Sequence, residues 1–396
     1  MNLHGATRLC TAALCLMAAS WVLGGEPDGS AANQKIGVPP LADFACDEVP
    51  CSAGVSLDVY VPNLTPGLEL SAGLLYLKPG ADNLGYATIT TFLPLGNPQW
   101  AVQDLNPGYQ PGFTVGARYV FPGTGKDLRV NWDHLRTSDG TSVSVSDPAT
   151  QWISPFNQTG PSTSESANEV GIFHLKSADG QVDFAYDMVN LDMGQTVNIG
   201  SKTQVRLFGG LTGARLQEQL VSTFYNFPDL DPVPPVVAIP DPTLRYITFN
   251  NTSTFTGLGP RLGLNTTHKL FRGFSFVSQL SGAVLAGRKQ PAQYSFAAVF
   301  DDVVNREQIA SRSVSQVVYN GDAKLGLGYN RPFSNGSILN LESGFKAAVF
   351  INPFSTYETS TNVLPLDIGS LSTNSMRHTP SNFTLQGFYA TSSLQW

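Results

Sequence analysis

Charge is scarce in this sequence. Asp, Glu, Lys and Arg make up only 13% of the 396 residues, where an ordinary soluble domain carries roughly 25%. Basic residues are also the minority, 23 against 30 acidic for a net −7, which argues against a nucleic-acid partner. Long apolar runs are missing beyond residue 23, and no later stretch approaches the roughly 20 residues of a membrane-spanning helix. Histidine and cysteine are few, with 5 and 4 copies. What the chain does have is 38 Gly, 27 Pro, 23 Phe and 13 Tyr. That much Gly and Pro excludes a helical bundle, because both weaken helix interiors. A hydrophobic fraction of 42% excludes a disordered chain.

Residues 1–25 read as a secretory signal peptide. Arg8 supplies the positive start, Leu9 to Leu23 is uncharged and apolar, and Ala18-Ala19-Ser20 or Gly24-Gly25 offers a cleavage site. Cys15 lacks the small preceding residue expected of a lipoprotein, since Leu14 stands there. Cleavage removes Cys10 and Cys15 and leaves Cys46 and Cys51, which are spaced to close a small disulfide loop in an oxidising compartment. A metal at this pair would need further ligands, and no His lies near. Residues 26–66 are rich in Pro, Gly, Ala and Asp without periodicity, and read as an irregular periplasmic segment.

From residue 67 to 396 the apolar residues recur at every second position, the strand period. Leu68, Leu70, Ala72, Leu74 and Tyr76 begin the pattern. Phe113 to Phe121, Leu128 to Trp132, Val182 to Met188, Val205 to Leu211, Leu258 to Leu264 and Phe274 to Leu280 continue it. Ala323 to Tyr329, Leu339 to Val349 and the segment ending at Trp396 complete it. Connections alternate strictly between short (122–126, 194–201, 267–272, 331–337) and long (79–110, 139–177, 218–250, 289–312, 352–380). A transmembrane β-barrel has this asymmetry, with short periplasmic turns and long extracellular loops. The expectation is an all-β, antiparallel up-and-down barrel of about 10 strands, with 12 as the alternative, because closure leaves no unpaired edge in lipid. Leu394 and Trp396 place an aromatic at the C-terminus of an alternating strand, resembling the signal read by bacterial outer-membrane assembly machinery. Phe383 and Leu385 are odd while Phe388, Leu394 and Trp396 are even, which suggests a bulge near Gly387.

Alternation also sorts the charges. Arg118, Arg129, Asp133, Asp183, Asp187, Arg206, Arg261, Asp322, Lys324, Glu342 and Lys346 all oppose apolar neighbours, and so are expected to face the lumen. An Arg or Lys on the lipid face would cost about 2–4 kcal/mol near the midplane. Two roles stay open for this set. The charges could line an aqueous path and tune ion selectivity, or pair across strands and plug a narrow barrel. Glu342 and Lys346 with Asp322 and Lys324, on adjacent strands, look suited to pairing.

The segments resemble the Legionella-type major outer-membrane protein family of pore-forming barrels. The resemblance runs through Leu70–Pro79, Gly112–Tyr119, Val130–Trp132, Phe184–Asp192, Gly209–Arg215 and Gly257–Asn265, in the family's order. It implies residence in a bacterial outer membrane, reached through the periplasm, and a porin-like role with no catalytic residue. The expected partners are outer-membrane lipids, the barrel-assembly machinery and small hydrophilic solutes, with a homo-oligomer left open. A structural or adhesive barrel that displays surface loops without an open pore is the alternative.

Enzyme chemistry finds little footing. His134 adjoins Asp133, but neighbouring strand residues point to opposite faces, and no Asp-x-His or His-x-Ser pair occurs. No cofactor is expected. The Gly257-Leu258-Gly259 and Gly326-Leu327-Gly328 segments lie in strands without a following helix, unlike nucleotide loops.

Overall fold

The computed structural model describes residues 59–62, 64–91, 99–147, 150–156, 175–226, 244–300, 303–310, 312–363 and 371–396. The expected leader, the segment up to residue 58 and the Cys46–Cys51 pair lie outside the described residues.

Strand period dominates the chain, and the described residues contain no helix. In order the strands are β1 (Val59–Tyr60), β2 (Gly67–Ala81), β3 (Gly85–Thr91), β4 (Gln99–Asp104) and β5 (Gln110–Val120). Then come β6 (Lys126–Ser144), β7 (Gln151–Pro155), β8 (Leu175–Ile199), β9 (Thr203–Asn226) and β10 (Leu244–Lys269). The last are β11 (Phe274–Phe300), β12 (Val303–Ala310), β13 (Val314–Pro332), β14 (Ile338–Val363) and β15 (Leu371–Gln395). A closed antiparallel ring runs β2-β5-β6-β8-β9-β10-β11-β13-β14-β15 and back to β2. The seam is tight at the chain end, where Leu68 and Trp396 exchange both backbone hydrogen bonds at 3.1 Å. Of the remaining strands, β1 pairs the end of β8 beside the short β8–β9 turn, while at the long-loop end β3 pairs β4 and β7, and β12 folds back on β11.

The alternation of connections holds, but the long ones are shorter than the sequence suggests. β8, β9, β10 and β11 have 25, 24, 26 and 27 residues and reach well into the expected loops. At about 3.3 Å per residue each extends roughly 80 Å along its axis, far more than an apolar band about 25 Å tall requires.

The outer face explains the excess length. Near the short turns it is apolar, with Leu70, Leu74, Leu191, Met193, Leu262, Leu280, Leu325, Phe345 and Phe388 exposed. Farther up, the pattern inverts. On β8, Asp179, Gln181 and Asp183 point outward while Val182 and Phe184 are buried inside. On β9, the outward Gln217 and Gln219 alternate with buried Leu216 and Leu220. The barrel is therefore lipid-facing in its lower part and a water-soluble barrel with an apolar interior above.

Two sequence expectations need correction here. The run Val182 to Met188 is the apolar filling of the upper barrel and not a lipid face, so Asp183 and Asp187 lie on the outside. No bulge falls at Gly387 either: the register of β15 with β2 and β14 is continuous from Phe383 to Gln395. Phe383 and Leu385 are odd because they point inward to the filling, at 0% and 1% exposure. Gly387 answers a close approach instead, since a Cβ there would lie 2.2 Å from the Tyr76 carbonyl oxygen.

Candidate functional site

The lower lumen holds a layer of ion pairs. Arg118 on β5 reaches Asp127 at 2.9 Å and Glu69 at 3.4 Å. Arg206 on β9 extends past β8 to the same Asp127, with Nε at 2.8 and 2.9 Å from its oxygens. Arg261 on β10 likewise passes β9 to donate to Asp192 on β8 at 2.6 Å, and to Ser281 Oγ at 2.9 Å. Contacts between strands that are not neighbours can form only through the interior.

The longest reach is that of Lys346. From β14 its Nζ lies 2.6 Å from Asp133 on β6 and 3.3 Å from Asp322 on β13. β15, β2 and β5 separate β14 from β6 around the ring, so this bond crosses the lumen. Thr114 Oγ1 also donates to Asp133, at 2.6 Å. Lys346, Asp133 and Asp322 are exposed by only 1%, 3% and 3%, so the charges are sequestered. Glu342 accepts from Tyr389 Oη at 2.6 Å, and Lys324 lies over the Tyr389 ring at 5.5 Å. A gap of about 10 Å³ remains among Arg129, Asp133, Asp192, Arg261, Asp322, Lys324 and Lys346, room for about one water. Asp192 Oδ1, Asp322 Oδ1 and Arg261 Nε have no hydrogen-bond partner among the described residues. Such buried atoms ordinarily take an ordered water as partner, and the gap has room for one.

Above it sits an apolar layer. Phe383 is its hub, 5.4 Å from Phe184, 5.4 Å from Phe354 and 6.0 Å from Phe350 between ring centres. Leu75, Leu77, Leu385 and Tyr186 surround it, each at most 1% exposed. The layers touch where Lys346 lies 5.9 Å from the centre of the Tyr186 ring.

Higher again, the turn after β2 folds inward. Asn83 Nδ2 donates to Glu218 at 2.6 Å and to Thr356, and Asn83 Oδ1 accepts from Ser381 at 2.7 Å. Burial pushes the Glu218 carboxyl up to about 7, against the pull of the Asn83 bond and of Lys289.

Of the residues expected to face the lumen, Arg118, Arg129, Asp133, Arg206, Arg261, Asp322, Lys324, Glu342 and Lys346 are inside. Asp183 and Asp187 are outside, for the reason given above. Asp187 is held there by Trp132 Nε1 at 3.2 Å and His134 Nδ1 at 2.6 Å, beside the Phe113 ring. Three inward carboxylates were missed in the sequence: Glu69, Asp127 and Asp192. Each opposes apolar neighbours (Leu68 and Leu70, Leu128, Leu191 and Met193), so the same parity rule identifies them. With them the interior cations and carboxylates of this layer are equal in number. Leu394 and Trp396 point outward at 41% and 52% exposure.

The family model for the Legionella pneumophila major outer membrane protein precursor matches residues 60–396. No curated protein matches the chain in sequence. Among solved structures it is similar to the outer membrane protease OmpT of Escherichia coli, at 9% identity and a TM-score of 0.38, over 83% of this chain and 96% of that one. The translocator domain of the autotransporter NalP from Neisseria meningitidis follows at 10% identity and 0.28, over 85% and 91%. The P. putida toluene transporter TodX is similar at 9% and 0.21, over 84% and 90%.

Proposed function

From the premise that the chain belongs to the Legionella major outer membrane protein family, an outer-membrane β-barrel among lipids, we propose that it is a porin-like channel closed at rest. Its open state passes small hydrophilic solutes or ions passively and with weak selectivity, and it does no chemistry on them. Leu394 and Trp396 serve its insertion by the assembly machinery.

The observation that carries this reading is the buried ion-pair layer across the lower lumen. Buried ion pairs are poor stabilisers, and well-packed apolar side chains would fill a purely structural barrel at least as well. Charges of both signs that can exchange partners suit a polar path that opens by rearrangement. Their equal numbers support weak ion preference. The apolar layer around Phe383 favours a second reading, a barrel that only displays its loops.

Planar-bilayer recording separates the two. The channel reading expects brief, small current steps from folded protein, with little preference between cation and anion. Arg129 and Lys324 border the gap without a salt bridge among the described residues. Arg129→Glu with Lys324→Gln is therefore expected to shift preference toward cations without dismantling the pairs. A silent bilayer with folded protein supports the display reading.

A further inference from the structure

Above the apolar band, at the long-loop end, β11, β13, β14 and β15 border a cavity of about 290 Å³. Small-ligand pockets begin at about this size. Lys289 and Gln290 of β11, Val314 of β13, Tyr357 of β14 and His378 of β15 line it, with Arg312 ahead of β13. No carboxylate lines it among the described residues.

Lys289 is the unusual member. It is only 6% exposed, yet no hydrogen-bond or ion-pair partner reaches it among the described residues. Its ammonium thus lines the cavity with no ionic partner in contact, an arrangement that a bound anion would stabilise. Burial pulls it down to about 8, while Glu218 acts on it only through the field, in the opposite sense. It therefore remains mostly charged at neutral pH. His378 packs on the Tyr357 ring at 5.4 Å between centres. Its value is lowered first by burial and then by Lys289, which keeps the imidazole neutral at pH 7. Gln316 on the same wall already donates to the Asn352 carbonyl at 2.7 Å, so Gln290 is the amide left to meet a ligand.

We propose that this cavity binds a small organic monoanion, its carboxylate on Lys289 with Arg312 at the rim and its apolar body against Val314 and the Tyr357 ring. The bound anion supplies the counter-charge that no described residue places in contact with Lys289. The site is read by binding and not by current, so it stands or falls separately from conduction.

The test uses the folded full-length barrel in detergent, with benzoate as probe and benzylamine as a cation of equal size, followed by saturation-transfer NMR. Saturable benzoate binding is expected, with no saturable benzylamine signal. Lys289→Gln is expected to weaken benzoate at least tenfold, and Arg312→Gln to weaken it less. Folding of each variant is checked by the mobility difference between boiled and unboiled samples. Should Lys289→Gln not fold, raising the pH of the wild type from 7 to 10 discharges Lys289 and is expected to release benzoate. Absence of saturable benzoate binding, equal binding of benzylamine, or affinity indifferent both to the variant and to pH overturns the proposal.

Discussion

A single residue, Lys346, fastens the lower lumen. Its ammonium sits between Asp133 and Asp322 at 2.6 and 3.3 Å, almost without solvent. Removing one partner of a buried pair leaves an uncompensated charge and costs about 3–5 kcal/mol, far more than the pair itself contributes. Lys346→Met is thus expected to lower the urea resistance of the refolded barrel by that amount. Adding Asp133→Asn and Asp322→Asn is expected to restore most of it, which urea titration of the folded fraction on unboiled gels would measure. Recovery distinguishes stranded charge from lost packing. Inward placement at this scale was legible: Lys346 stands between Phe345 and Ala347, and parity alone turns it to the lumen. Its partner was not. Asp133 is 213 positions away, and only the order of strands around the closed ring brings the two together.

At the scale of the element, β8 shows where periodicity misleads. A stretch of alternating apolar residues states that one face is buried, without stating whether lipid or protein buries it. On Val189, Leu191 and Met193 the buried medium is lipid; on Val182, Phe184 and Tyr186 it is the barrel's own filling. The two sets have opposite parity on one continuous strand, so choosing the apolar run at 182–188 as the lipid face turned Asp183 and Asp187 inward. The polar residues Asp179, Gln181 and Asp183 on the other face held the missing signal, because three polar positions in a row do not belong in hydrocarbon. The outer surface of β9 gives a direct measure of the boundary. Leu191→Arg on β8, within the lipid band, is expected to cost about 2–4 kcal/mol. Val221→Arg on β9, above it, is expected to fall within about 0.5 kcal/mol of wild type, as surface changes do. Refolding into lipid vesicles across a urea series would show the contrast, and equal costs would mean that the band reaches higher than the outward residues indicate.

For the whole molecule, the ring of ten strands was legible from alternating connections, whereas the closure of its axis was not, because filling depends on which side chains meet across the lumen. Two seals lie in series along that axis. One is charged, centred on Lys346; the other is aromatic, centred on Phe383. With two seals of comparable tightness in series, flow stays limited by whichever one remains, so relieving either alone gains little. Asp133→Ala with Lys346→Ala removes charge in a neutral pair from the lower seal. Phe350→Ala with Phe383→Ala empties the upper seal, at a stability cost of about 3–5 kcal/mol per ring. Each pair alone is expected to leave bilayer current near the wild-type level, and the four changes together are expected to raise it many-fold and admit a small sugar in a vesicle-swelling assay. Opening by the lower pair alone would make Phe383 and its neighbours incidental to the path. Silence of the quadruple variant, still folded by its mobility on unboiled gels, would place the resistance in the long-loop connections above both layers.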